Sequence, residues 1–119
     1  MREIKFRAII KERNATIYFT LADLIKKPYP TFSIREILIP WLLAGNKPDE
    51  YTGLKDKNGK EIYEGNIVRF DVREGGVGEP AAKQEVGEVK IRHLGYLVFG
   101  KWTSTYCYNI EVIGNIHTG

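Results

Sequence analysis

The residues able to carry covalent or acid–base chemistry in this chain are few. Cys107 with His93 or His117 would supply a thiolate and a base, the pair that nucleophilic catalysis needs. Glu61 and Glu64 are close enough in sequence to divide the work of general acid and base. Each has a plainer explanation. Cys107 stands between Tyr106 and Tyr108 in a strand-like stretch, where a free thiol is usually a small buried hydrophobe. The two glutamates fall at a hairpin end, an ordinary solvated position. His93, His117 and Cys107 show no CxxC or HxxxH spacing, so no zinc site is expected.

Three glycine motifs fail on inspection. Asp56-Lys57-Asn58-Gly59 opens like a calcium loop, but its glycine comes two positions early and Ile67 stands where the bidentate glutamate belongs. The span from Gly95 to Lys101 copies G-x-x-x-x-G-K, yet Trp102 follows where a hydroxyl must reach magnesium. Gly75-Gly76-Val77-Gly78 lacks the dinucleotide spacing. The chain is therefore read as having no catalytic residue, no metal and no cofactor, and as not being an enzyme.

Binding remains. Lys90, Arg92, Lys101 and Trp102 could form a basic, aromatic face on which single-stranded nucleic acid stacks. Against this, Tyr96, Phe99, Trp102, Tyr106 and Tyr108 could simply fill a small core. Charge gives the nucleic-acid reading little help. Eighteen Lys and Arg against fifteen Asp and Glu leave +3, and no three basic residues are consecutive. The excess lies in residues 1–50, with nine basic and six acidic groups, while residues 51–119 hold nine of each. A field that weak mainly favours solubility.

The elements that must hold these residues can be read from periodicity. Ile4, Phe6 and Ala8 alternate with charges, the period of a half-buried strand running to Ile10. Lys11 to Ala15 is a polar turn, and Thr16-Ile17-Tyr18-Phe19 pairs back. Thr20 and Asp23 have capping-box spacing and open a short helix stopped before Pro28. Ser33 and Glu36 repeat the device for a helix over 33–44 that ends at Gly45, with a kink or break at Pro40.

That helix is apolar almost all round, at Ile34, Ile37, Leu38, Ile39, Trp41, Leu42 and Leu43. Such a helix must be covered on every side. Either a second copy of the chain covers part of it, making Ile34, Ile37, Leu38, Trp41, Leu42 and Leu43 a self-association surface, or sheet and loops do so. Both readings stand at this point. Asn46 to Glu50, with Pro48, is a polar linker and the candidate subdomain boundary.

Beyond it the texture is β. Asn58-Gly59 predicts a two-residue type I′ hairpin, and Glu64-Gly65-Asn66 a second turn. Val68, Phe70 and Val72 share one strand face. Arg73 to Glu88, with Gly75, Gly76, Gly78, Pro80 and Gly87, is expected to be a surface loop. Strands follow at Glu88–Arg92, Tyr96–Phe99, Thr105–Tyr108 and Asn109–Gly114.

Residues 51–68, Y-T-G-L-K-D-K-N-G-K-E-I-Y-E-G-N-I-V, closely resemble the signature of the YopX family of phage and prophage proteins. Residues 2–8 and 110–116 resemble that family's two ends. Within the signature, Tyr51, Gly53, Leu54, Asp56, Gly59, Tyr63, Glu64 and Gly65 read as structural, since the glycines permit tight reversals and the aromatics supply an apolar side. Two departures stand out: Ile9-Ile10 replaces the usual Trp-Asp, and Asn66 replaces the aspartate after Glu64-Gly65. The resemblance implies a mobile-element origin and a fold, but no reaction.

The expected architecture is α+β and mainly β. A small, partly open SH3-like barrel occupies residues 51–119, and residues 1–50 supply an N-terminal strand or two and one or two short helices packed on it. The longest apolar run, Ile37 to Gly45, is about half a membrane span, and the start lacks a secretory h-region. The expected protein is cytoplasmic, in a bacterial host if the resemblance holds, and off the membrane. It is expected to be a non-enzymatic binding or assembly module that self-associates. Nucleic acid and a host or phage protein are the other partners considered, and an unidentified enzyme is the third alternative.

Overall fold

A computed structural model describes residues 4–25, 35–72, 83–92 and 96–117. The chain divides into two compact units, Met1–Tyr51 and Thr52–Gly119. Among the described residues the fold is mainly β, with two short helices and two antiparallel sheets. Neither sheet closes into a barrel: one has the order β2-β1-β3-β4 and the other β8-β7-β6-β5-β9.

In the first unit, β1 (Phe6–Ile10) and β2 (Ala15–Phe19) are antiparallel, from Phe6 opposite Phe19 to Ile10 opposite Ala15. A single 3₁₀ turn at Lys11–Arg13 connects them, and Asn14 closes it with a φ of 50°, a left-handed conformation that asparagine tolerates. Alternation puts Ala8, Ile10 and Phe19 inward, where they meet Leu38. The Phe6 and Phe19 rings stack with centroids 5.5 Å apart. On the opposite face of β1, buried Arg7 donates from Nε and Nη2 to Asp49 Oδ2, at 3.1 and 2.8 Å.

Helix α1 (Leu21–Ile25) starts as its spacing predicts. The Asp23 carboxylate reaches back to accept the Thr20 N–H at 2.8 Å, supplying a donor at the helix start with an acceptor. Helix α2 (Arg35–Leu43) runs through Pro40 without the expected break. Pro40 and Glu36 are both exposed, so water can serve the Glu36 carbonyl that the missing proline N–H leaves free. The helix ends as expected, with Gly45 at a φ of 94° and its N–H on the Leu42 carbonyl. The Ser33 half of the second capping box lies outside the described residues.

Strand β3 (Asp49–Lys55) takes in the last residues of the expected linker and passes from one unit to the next. Asp49 and Glu50 pair with β1, and β3 also borders β4 (Glu61–Tyr63). In the second unit β5 (Asn66–Val72) lies between β6 (Lys83–Ile91) and β9 (Cys107–Asn115). Its Val68, Phe70 and Val72 are buried as alternation predicts. They join Ile62, Val89, Leu97 and Phe99 in the core.

Strand β6 begins at Lys83, inside the stretch expected to be loop; residues 73–82, with Gly75, Gly76, Gly78 and Pro80, lie outside the described residues. Gly87 is thus an interior strand residue. A Cβ there would sit 2.6 Å from the Gly100 nitrogen, so the glycine permits a close approach of two backbones. Gly100, with a φ of 60°, opens the two-residue turn between β7 (Leu97–Phe99) and β8 (Trp102–Thr103).

The two strands expected at the C-terminal end are one, β9, preceded by a 3₁₀ turn at Ser104–Tyr106. Against β5, β9 holds an extra residue in each of two places, between Tyr108 and Glu111 and between Val112 and Gly114. These are β-bulges, which re-aim the side chains beyond them. The aromatic core is smaller than expected: Phe99 is fully buried, but Tyr96 and Tyr106 are 52% and 60% exposed.

Candidate functional site

The signature segment is organised around Asp56. Its Oδ1 accepts the N–H groups of Asn58 and Lys60, each at 2.9 Å, and its Oδ2 accepts that of Val112 at 3.0 Å. The Asp56 N–H donates to the Lys60 carbonyl and Gly59 N–H to the Asp56 carbonyl. The loop is therefore not the two-residue type I′ turn expected. Asn58 keeps a negative φ and only Gly59 is left-handed, at 82°. This is the three-residue pattern, a type I turn followed by a left-handed glycine. Asp56 favours it because its side chain satisfies two amides that a tighter hairpin would arrange otherwise.

The same loop covers β9. Lys57 N–H donates to the Ile110 carbonyl and Asp56 accepts from Val112, so the turn serves groups along an edge strand that would otherwise offer itself for pairing. Burial pushes the Asp56 carboxyl up, but hydrogen bonds from the Val112, Lys60 and Asn58 amides outweigh it. Together with the Lys60 charge they hold the group below its ordinary value. Beside the loop Glu111 is also held low, chiefly by a hydrogen bond from Arg69 and further by the Lys57 charge. The sequence gives no sign of the Asp56–Val112 tie, whose partners lie 56 positions apart.

The second turn is braced as heavily. Gly65 has a φ of 89°, its N–H meets the Val89 carbonyl, and its carbonyl accepts from Ile116. Asn66, 2% exposed, accepts the Tyr63 N–H at 2.7 Å and donates through Nδ2 to the Gly114 carbonyl at 3.1 Å. An aspartate could make the first contact but has no donor for the second. Thr52 Oγ1 donates to the Ile62 carbonyl at 2.7 Å. Tyr51 and Tyr63 are buried, Gly53 has a φ of 88°, and Leu54 is 41% exposed.

The described reactive candidates each have a partner of their own. Glu61 accepts from the Tyr63 hydroxyl at 3.0 Å, while Glu64 accepts from the Ile91 amide at 3.2 Å. Cys107 donates its thiol to the Thr103 carbonyl, and burial pushes that thiol up to about 11, leaving almost no thiolate at neutral pH. His93 lies outside the described residues. Among those described, no three His, Cys, Asp or Glu side chains are grouped to hold a metal ion.

The basic, aromatic residues divide between two sides of a sheet. Lys90 is opposite Val98 and adjacent in sequence to the buried Val89, so it faces away from the core. Trp102 is opposite Phe99 and packs on the core. Lys101 lies in the β7–β8 turn with Nζ 5.9 Å from the Trp102 ring, and Arg92 is exposed just beyond β6.

Helix α2 also sorts its side chains. Leu38 is fully buried and Ile37 and Trp41 pack on the same cluster. Ile39 and Leu42 are half-buried, and Leu43 is 83% exposed. The Ile34 side chain lies outside the described residues.

With the signature's geometry in view, comparison with known families is decisive: a family model described as YopX protein matches residues 5–119. The chain belongs to the YopX family. No curated protein matches it. In this YopX chain Asp56, Glu64 and Gly65 of the signature make hydrogen bonds within the fold, and Asn66 takes part through a contact that its amide nitrogen alone can donate. No helix among the described residues is long and apolar enough to cross a membrane.

Proposed function

We propose that this YopX-family chain is a non-enzymatic assembly module of phage or prophage origin that associates with copies of itself in the bacterial cytoplasm. The observation that carries the reading is Leu43, 83% exposed at the end of an apolar helix whose other side is core. Ile39 and Leu42 lie half-buried on the same helix. Leucine side chains gain from leaving water, about 25 cal/mol per Å² of apolar surface, and a second α2 is a surface of matching character. The raised Cys107 thiol, a poor nucleophile at neutral pH, supports a binding role over a catalytic one. Nucleic acid is the weaker partner, because Lys90 and Trp102 face opposite sides of their sheet.

Light scattering behind a sizing column tests the reading on the untagged chain. The expected mass exceeds the 13.6 kDa of one copy. Leu43→Glu should shift it toward the monomer while leaving the circular dichroism spectrum intact. A wild-type monomer across the accessible concentration range would end the reading.

A further inference from the structure

We propose that Asn58 is a latent site of spontaneous deamidation, held in check by the Asp56 tether. The chain has six asparagines, at 14, 46, 58, 66, 109 and 115, and of these only Asn58 is followed by glycine. Asn58 and Gly59 are exposed, and no atom lies within 4 Å of where a Gly59 Cβ would be. Gly59 therefore brings no side chain of its own to hinder attack of its nitrogen on the Asn58 carboxamide. The other five are followed by Ala, Lys or Ile, whose side chains crowd that approach.

The step is intramolecular. Base removes the Gly59 N–H proton, the nitrogen attacks Asn58 Cγ and a C–N bond forms; the Cγ–Nδ2 bond then breaks, and Nδ2 takes a proton back from the conjugate acid and leaves as ammonia. Water then opens the five-membered imide at either carbonyl and leaves an aspartyl or a β-linked isoaspartyl residue. No oxidant or reductant enters.

The same geometry restrains this reaction. The Gly59 N–H is donated to the Asp56 carbonyl at 3.0 Å, and Asp56 Oδ1 holds the amides on both sides of Gly59, those of Asn58 and Lys60. For its nitrogen to swing toward Cγ the turn must first open, and the rate scales with the open population. An isoaspartyl product adds a methylene to the backbone inside this turn. It would thereby loosen the Asp56–Val112 hydrogen bond over the β9 edge.

The test follows the full chain by peptide mass mapping at mildly alkaline pH, folded in buffer and unfolded in guanidinium, with the other five asparagines as internal references. In the unfolded chain amide-to-acid conversion should appear first at Asn58. In the folded chain it should be about tenfold slower or more, since each tenfold corresponds to a small opening free energy. Asp56→Ala in buffer should approach the unfolded rate. If that variant does not fold, the wild-type comparison still decides. Equal rates in the folded and unfolded wild type would overturn the restraint. An unfolded chain in which Asn58 reacts no faster than the other asparagines would overturn the site.

Discussion

In the first unit buried Arg7 finds the carboxylate of Asp49, one side chain answering another. In the second unit buried Asp56 and Asn66 answer backbone amides and carbonyls instead. The apolar parts differ too. The first unit gathers Ala8, Ile10, Phe19 and Leu38, whereas the second gathers Ile62, Val68, Phe70, Val72, Val89, Leu97 and Phe99. A tie between two side chains fails if either residue changes. A tie from side chain to backbone depends on one residue only, because every chain supplies the amide. The second unit's signature is a set of such one-residue ties, so a short motif can fix two turns and shield a strand edge.

The largest effects should come from the cores. Phe99→Ala removes a fully buried ring that meets Phe70 at 5.6 Å between centroids and should cost about 3–5 kcal/mol. Amide exchange should show the loss concentrated in residues 52–119. Equal loss of protection in residues 1–51 would break the separation into two units.

Asp49→Ala takes the acceptor from two Arg7 N–H groups and should cost a similar ~3–5 kcal/mol, with Arg7→Met/Asp49→Leu recovering part of it in denaturant titrations. Asn66→Ala removes backbone ties only and should cost less, about 1–3 kcal/mol. Should Asn66→Ala prove the more damaging, the contrast between the two kinds of tie would be reversed.

A glycine pair sharpens the account of β6. Gly87→Ala drives a methyl into the Gly100 backbone and should cost ~1–3 kcal/mol. Gly114→Ala, with nothing within 4 Å of its Cβ position, should change the thermal midpoint little.

The smallest effect is the pH dependence from Asp56. Its folded carboxyl titrates below its ordinary value of 3.8. The unfolded state therefore binds its proton first as pH falls. The stabilisation is complete above that ordinary value and is lost as pH drops through the lower folded value. Asp56→Asn should flatten that part of the acid unfolding curve. A variant curve parallel to wild type throughout would remove Asp56 from the acid response.

Alternation and capping made much of the local structure legible. Val68, Phe70 and Val72 share a buried face, and Thr20 with Asp23 starts a helix, because such periods and spacings act within a few residues. The expected type I′ turn failed because Asp56, two positions before Asn58, supplies an acceptor that favours the longer loop. Of the kink or break expected at Pro40, the break does not occur, because its cost falls on the exposed side of α2. Gly87 looked like a loop breaker because nothing in its neighbourhood announces Gly100.

The sequence by itself determined the β-rich character, the family, the glycine-borne turns and the absence of a metal-ligand spacing, all of which depend on neighbours along the chain. Tertiary structure alone decided that Arg7 meets Asp49 and that Val112 is held by Asp56. It also placed Lys90 and Trp102 on opposite sides of a sheet and left Leu43 uncovered while Leu38 is core. These are contacts across tens of residues, set by how strands pair and shift register through bulges. No local period encodes that pairing.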